Sequence, residues 1–298
     1  MLGALVGAWA GALYGFDQPL HVQFYRYIER LAHFDLGMSF QTGRPVLDDI
    51  LYFFPATFEL ASIAMIIAIV FGIPLGVISA VKRNSFLDQA ARVISLIGVS
   101  MPVFWLGLVL LLIFYFKLDW LPEPGRLDIM LIEPPRITGM LLIDSAIAGD
   151  GEVFWDAFMH SIMPATVLGL FGLAGIARIA RSSMLDVLSQ EYVKTARIKG
   201  LSEFWVIARH AFPNALVPTV TMIGLTYGGL LEGAVLTETI FSWPGLGRYL
   251  TVAFLTLDLN AIVGGTMLVA ISYSLVNLLV DLLYAYLNPK ITLAQGDE

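Results

Sequence analysis

The chain has no cysteine among its 298 residues. That excludes a disulfide framework, a thiolate metal site and a cysteine nucleophile. Charge is scarce as well. Asp, Glu, Lys and Arg make up 14% of the residues, against about 25% in an average soluble domain. The net charge of −7 offers nothing to a phosphate backbone, so no nucleic-acid partner is expected. Catalytic signatures are missing too. Without a Gly-x4-Gly-Lys-Ser/Thr loop, the chain should not hydrolyse ATP by itself. There is no His-Glu-x-x-His, and His21, His33, His160 and His210 are scattered, so no metal site is expected. A Gly-x-Ser-x-Gly elbow is also absent. No catalytic residue is assigned, and the chain is not expected to be an enzyme.

Apolar side chains are what the sequence has in quantity: 58% of residues are hydrophobic, with a further 27 glycines. Five stretches are long and apolar enough to cross a bilayer, roughly 57–80, 91–116, 158–180, 214–236 and 260–287. The expected fold is therefore all-α, a polytopic membrane helical bundle with about five transmembrane helices. Residues 57–290 form its transmembrane domain, 1–56 an N-terminal segment, and 291–298 a tail. Residues 1–16 are apolar but short, lack a basic n-region, and are not counted as a span. Pro74, Pro102 and Pro164 fall inside spans, where neighbouring helices can satisfy the freed carbonyls.

Charge sets the orientation. Lys82, Arg83 and Arg92 face only Asp88 between the first two spans. Arg178, Arg181, Lys194, Arg197, Lys199 and Arg209 outnumber Asp186, Glu191 and Glu203 between the third and fourth. Segment 17–56 carries three basic and five acidic residues, and loop 117–157 three basic and eight acidic. The basic loops belong in the cytoplasm and the acidic segments outside. The C-terminus is then inside. Glu59, Glu232 and Asp281 lie in or at the edges of spans and are candidate pathway residues by default. Glu59 and Asp281 are expected near span ends, within reach of water or headgroups. Glu232 is expected near the outer mouth, with the outer loop beginning at Thr237.

Loop 182–213 is the most informative stretch. Residues 184–199 have helical spacing, with Met184, Leu185, Leu188, Tyr192, Thr195, Ala196 and Lys199 on a mixed face. Gly200 can stop that helix and Ser202 can cap the next. Helix–glycine–helix on the basic side fits either an amphipathic element resting on headgroups or a rigid lever docked on a soluble partner.

Lys194-Thr195-Ala196, three residues, Gly200, nine residues, and His210-Ala211-Phe212-Pro213 resembles the cytoplasmic loop motif of ABC-importer permeases, Glu-Ala-Ala-x3-Gly-x9-Ile-x-Leu-Pro. Ala196, Gly200 and Pro213 keep the motif letters. The run from Tyr192 to Gly200, Tyr-Val-Lys-Thr-Ala-Arg-Ile-Lys-Gly, is similar to the dipeptide/oligopeptide/nickel branch. So are Gly15-Phe16-Asp17-Gln18-Pro19-Leu20, Asp35-Leu36-Gly37 with Ser39-Phe40, Ser100-Met101-Pro102-Val103-Phe104-Trp105, Thr237 through Arg248, Asn277-Leu278-Leu279-Val280-Asp281 and Asn288-Pro289. Thr138-Gly139 with Leu142-Ile143-Asp144 looks most like dipeptide-type permeases. Family members usually place a basic segment and one more span ahead of Asp-Gln-Pro-Leu, giving six. This sequence is expected to be one span short, with residues 1–14 in the place of the linker.

The resemblance implies a permease subunit of an ATP-driven importer in the bacterial inner membrane. It would form half of a translocation pathway for dipeptides or short oligopeptides. Partners would be a second homologous permease subunit, two ATP-binding subunits holding ATP and Mg, a periplasmic substrate-binding protein, and the lipid membrane. No cofactor would bind this chain. The 185–200 helix would seat on an ATPase subunit. Glu191, Tyr192, Lys194, Thr195, Ala196, Arg197, Lys199, Gly200 and Pro213 would form the coupling loop. Glu232, Phe241, Trp243, Pro244 and Gly245 would belong to the pathway or outer gate, and loop 117–157 would contact the binding protein or pack on itself. Related permeases carry nickel chelates, antimicrobial peptides, opines or oligosaccharides. A secondary transporter would need paired intramembrane charges or broken helices in repeated halves, and no internal inverted repeat is visible.

Overall fold

The computed structural model describes residues 18–287. The 1–16 stretch, the first residues of the Gly-Phe-Asp-Gln-Pro-Leu motif, Asn288-Pro289 and the tail lie outside them. Among the described residues the architecture is helical, with a single isolated bridge between Met38 and Pro45.

Helix α1, Leu20–Ala32, buries no residue. Leu20, Phe24 and Ile28 recur at four-residue spacing and are exposed, the stripe expected of a helix lying in a membrane interface. Helix α2, Val46–Val81, has 36 residues and is about 54 Å long at 1.5 Å per residue. It starts well before the expected 57–80 span and overshoots a hydrocarbon core of about 30 Å. Pro55 and Pro74 are accommodated inside it.

The second expected span, 91–116, is not one helix. Helix α3, Phe86–Ser100, and helix α4, Val103–Leu110, are bent by 102° at a break. Pro102 explains the break. It offers no N–H to the helix, and its ring disfavours helical backbone at Met101, which is extended at φ −83°, ψ 129°. The chain continues from α4 as a π-helical segment, Leu111–Lys117. After loop 118–140 comes the short helix α5, Leu141–Ala148, closed by Gly149 at φ 71°.

Helix α6, Gly151–Leu188, carries the third span through its 38 residues and is capped by Asp150, which accepts from the Val153 N–H. Helix α7, Glu191–Ile198, follows a short turn. Helix α8, Glu203–Ile240, contains a π-helical turn, Val206–Ala211. Helices α9, Leu246–Thr256, and α10, Leu259–Leu287, complete the described chain. By length and composition α2, α6, α8 and α10 can cross a membrane, and the α3–α4 pair makes a fifth crossing if counted as one.

The core is the α2–α6 contact, built on small residues. Ala56, Ala61, Ala64 and Ala68 of α2 are buried against Ala165, Leu173, Ile176 and Ala177 of α6. A Cβ on Gly76 would stand 2.5 Å from the Ala177 carbonyl oxygen, and one on Gly169 would stand 2.9 Å from that of Ala64. Without a side chain the two backbones close on each other, the small-residue packing that membranes favour because lipid offers no hydrophobic drive between helices. Helix α8 lies against α6, and α10 against α8.

Candidate functional site

At the end that carries the basic loops, α6 stops at Leu188. The Ser189 hydroxyl and the Gln190 amide both donate to the Asp186 carbonyl, so local side chains take an acceptor from the helix terminus. The expected 184–199 helix is therefore two pieces, the end of α6 and the separate α7. The mixed face expected for 184–199 is divided in burial, and Val193, outside it, joins Ala196 on the buried side. Val193 and Ala196 are buried against Val187, Leu188 and Val206, whereas Tyr192, Thr195 and Lys199 are exposed.

Gly200 bends the chain at φ 80°, a conformation that costs a residue with a Cβ. Across this bend the Arg197 guanidinium donates to Glu203 at 2.6 Å and 3.1 Å, tying the end of α7 to the start of α8. The Glu203 hydrogen bond pushes the Arg197 guanidinium above its ordinary range. Lys194 pairs with Glu191 at 2.7 Å on the exposed side. Ile198 is 85% and Phe204 69% exposed, an apolar rim around the α7–α8 corner. The π-helical turn Val206–Ala211 sits immediately ahead of Phe212 and Pro213. Pro213 is exposed and cannot donate to the carbonyl four residues back, which favours a wider turn there.

At the opposite end of the bundle, α8 runs past the expected loop start at Thr237 to Ile240. The turn that follows is buried. Phe241 and Trp243 are each 1% exposed. Phe241 lies with Met163 and Val167, and the Trp243 indole N–H donates to the Ala56 carbonyl at 2.9 Å. Gly245 is required by Glu238, since a Cβ would fall 2.4 Å from its carboxyl. Glu238 was not among the expected site residues. It is fully buried and accepts from the Thr57 hydroxyl at 2.6 Å and the Arg248 N–H at 2.9 Å. Thr57 in turn accepts from the Leu246 N–H at 2.8 Å. Pro244 is half-buried beside it.

Glu59 does not reach water or headgroups as expected. It is 5% exposed and pairs with Arg126 at 2.6 Å. Its second oxygen accepts from the Leu142 N–H at 2.8 Å, and Arg126 also donates to the Gly139 carbonyl at 2.9 Å. One carboxylate on α2 thus fastens loop 117–157 at two points. Asp144 organises the same loop, accepting from the Thr138 N–H and hydroxyl, both at 2.7 Å, and from the Gly139 N–H at 2.9 Å. Burial opposes the charge on Asp144, but the Thr138 and Gly139 donors outweigh it and hold the carboxyl below its usual range.

Glu232 stands apart from this buried turn. It is exposed on α8, beside Gly229 and Gly233, where a Cβ would meet nothing within 4 Å. Leu225 and Leu236 continue the same open face. Asp281 is exposed near the end of α10. Among the described residues no His, Asp or Glu group is arranged to hold a metal.

An apolar helical bundle with a buried turn at one end and a small two-helix corner at its basic end is the architecture of a polytopic membrane protein. The chain belongs to the family described as binding-protein-dependent transport system inner membrane component, whose model matches residues 72–293. It is an inner-membrane subunit that does not itself catalyse ATP hydrolysis. It is 48% identical over 283 residues to the probable D,D-dipeptide transport system permease protein DdpB of Escherichia coli K12, covering 95% of this chain and 83% of that one. It is 48% identical over 279 residues to the dipeptide transport system permease protein DppB of the same strain, covering 93% and 82%. The di/tripeptide transport system permease protein DppB of Pseudomonas aeruginosa matches at 48% over 277 residues, covering 93% and 82%. Among solved structures, the inward-facing MetNI methionine ABC transporter shares the fold with a TM-score of 0.59 at 15% identity, covering 78% of this chain and 93% of that one.

Proposed function

We propose that this chain pairs with a second, homologous permease subunit to form a pathway for dipeptides and short oligopeptides, driven by two ATP-binding subunits and fed by a periplasmic binding protein. The observation that carries the substrate class is 48% identity across nearly the whole chain to permeases named for dipeptide transport. ATP and Mg belong to the partner subunits.

In this reading α7 is the element seated on an ATPase subunit. The exposed Tyr192, Lys194, Thr195, Lys199 and Ile198 meet the partner, while Val193 and Ala196 anchor the helix to the permease. Glu191, Arg197 and Gly200 fix the corner, and the turn before Pro213 passes its displacement into α8. The open α8 face with Glu232 lines the pathway, and the turn holding Phe241, Trp243, Pro244 and Gly245 braces its outer mouth. Loop 117–157 receives the binding protein.

Reconstitution with the partner subunits should give ATP-dependent uptake of dipeptides from a mixed panel of peptides, nickel chelates and oligosaccharides. Uptake that ignores ATP would reject the importer reading. Uptake confined to a non-peptide would reject only the substrate. In the same assay, Gly200→Val should leave ATP hydrolysis intact and cut peptide uptake about tenfold or more. The strain of a β-branched residue at φ 80° would misplace α7. Normal uptake by this variant at normal expression would overturn the coupling role.

A further inference from the structure

The inner ends of α2, α3 and α6 enclose a crevice of about 580 Å³ that the transport reading does not use. Behind its lining residues Ser79, Arg92 and Arg181 lies Asp88, fully buried at the start of α3. Arg92 grips Asp88 at 2.7 Å and 3.2 Å. Arg181, from α6, grips it at 2.9 Å and 3.1 Å. Ser79 of α2 donates to the same carboxylate at 2.6 Å. Both guanidinium groups bind Asp88 through Nε and Nη2, which leaves Nη1 of each outside the contact. Arg178 also lines the crevice, and no described residue hydrogen-bonds or ion-pairs with it. Three guanidinium groups thus line the crevice, and two of them share the one Asp88 carboxylate, so the crevice keeps a net positive charge. Lys82 and Arg83 add to it from the exposed turn that follows α2.

The rest of the lining is suited to an amphiphile. Ser95 and Ser182 line it together with the arginines, and Leu75 and Leu96 extend the wall with apolar surface. Leu96 is 65% exposed, and Val93 and Ile94 of α3 are exposed next to it. The positive end lies on the cytoplasmic side, where the inner leaflet presents anionic headgroups.

We infer that this crevice binds the phosphate of an anionic phospholipid. The headgroup sits against Arg178 and the free edges of Arg92 and Arg181, and the acyl chains run along α3. A lipid held there ties α3 to α6 at the inner end of the bundle, on the near side of the Pro102 break. A free phosphate ion shares the chemistry but has no use for the apolar wall, and that difference separates the two sources.

The test is native mass spectrometry of the purified assembled transporter, titrated with phosphatidylglycerol or with zwitterionic phosphatidylethanolamine. Wild type should retain phosphatidylglycerol preferentially, and millimolar inorganic phosphate should not displace it. Arg178→Gln, which leaves the Asp88 cluster intact, should weaken that retention about fivefold, the worth of one basic residue near a lipid surface. Arg178→Lys should restore most of it. Equal retention of the two lipids by wild type would overturn the inference without recourse to any variant. So would complete displacement by phosphate, unchanged retention by Arg178→Gln, or an assembled transporter that holds no lipid because a partner subunit covers the crevice.

Discussion

Asp144 gathers three donors from residues 138 and 139, and its depressed pKa makes the loop sensitive to acid. A carboxyl held below its ordinary value contributes stability that is full above the unfolded pKa. That contribution is lost as pH falls from 3.8 through the lower folded value. Amide exchange at 138–144, corrected for intrinsic rates, should therefore show strong protection at pH 5 and a clear loss below pH 3. Asp144→Asn should be poorly protected at both. Equal wild-type protection at the two values would contradict this. Glu238 teaches a different lesson at the same scale. Its partners Thr57 and Arg248 arrive from another helix and from beyond a turn, so nothing adjacent in sequence marked it. Its spacing to Gly245 and Gly247 was visible, but the reason for those glycines was not. Glu59 was noticed as an intramembrane acid, yet its partner Arg126 lies 67 positions away in a loop with no periodic pattern.

Among the elements, α2 and α6 depend on the absence of side chains where they meet. Gly76→Ala would place a methyl 2.5 Å from a backbone oxygen, which no rotamer can relieve. That variant should unfold several degrees lower in detergent, whereas Gly229→Ala on the open face of α8 should match wild type. Equal melting temperatures for the two variants would show that the contact is not close-packed. The long apolar runs announced α2, α6, α8 and α10 because twenty-residue hydrophobicity is a strong signal. Their ends were harder to read, since α2 starts at Val46 and Asp48 and Asp49 interrupt the apolar run in its first turn. Two breaks were also hidden. Pro102 looked like Pro74 and Pro164, which their helices absorb, and only the surrounding packing decides which proline bends a chain. The turn at Ser189 and Gln190 interrupts a spacing that remains helical on paper.

For the whole molecule, loop 117–157 and the bundle behave as one body because Glu59 binds both Arg126 and Leu142. Glu59→Gln would leave a guanidinium with a weakened partner in a largely buried site, where losing one member of an ion pair costs about 3–5 kcal/mol. In the reconstituted transporter it should reduce the stimulation of ATP hydrolysis by loaded binding protein while basal hydrolysis stays near wild type. Full stimulation in this variant would separate the loop from signalling. The family was legible from the spacing around Gly200. The attachment of the loop to the bundle depends on contacts between distant residues and was not.

The glycine- and alanine-lined seam between α2 and α6 has a mechanical consequence. Where Gly76 and Gly169 bring the backbones together no flexible side chain lies between them to absorb slack, so the pair is stiff at those points and moves as a single strut. One end of that strut carries the Asp88–Arg181 clamp, and the other carries Glu59 with its loop. A displacement delivered at Leu188 therefore reaches the outer face nearly undiminished, and compliance is left to the break at Pro102 and the wide turn before Pro213.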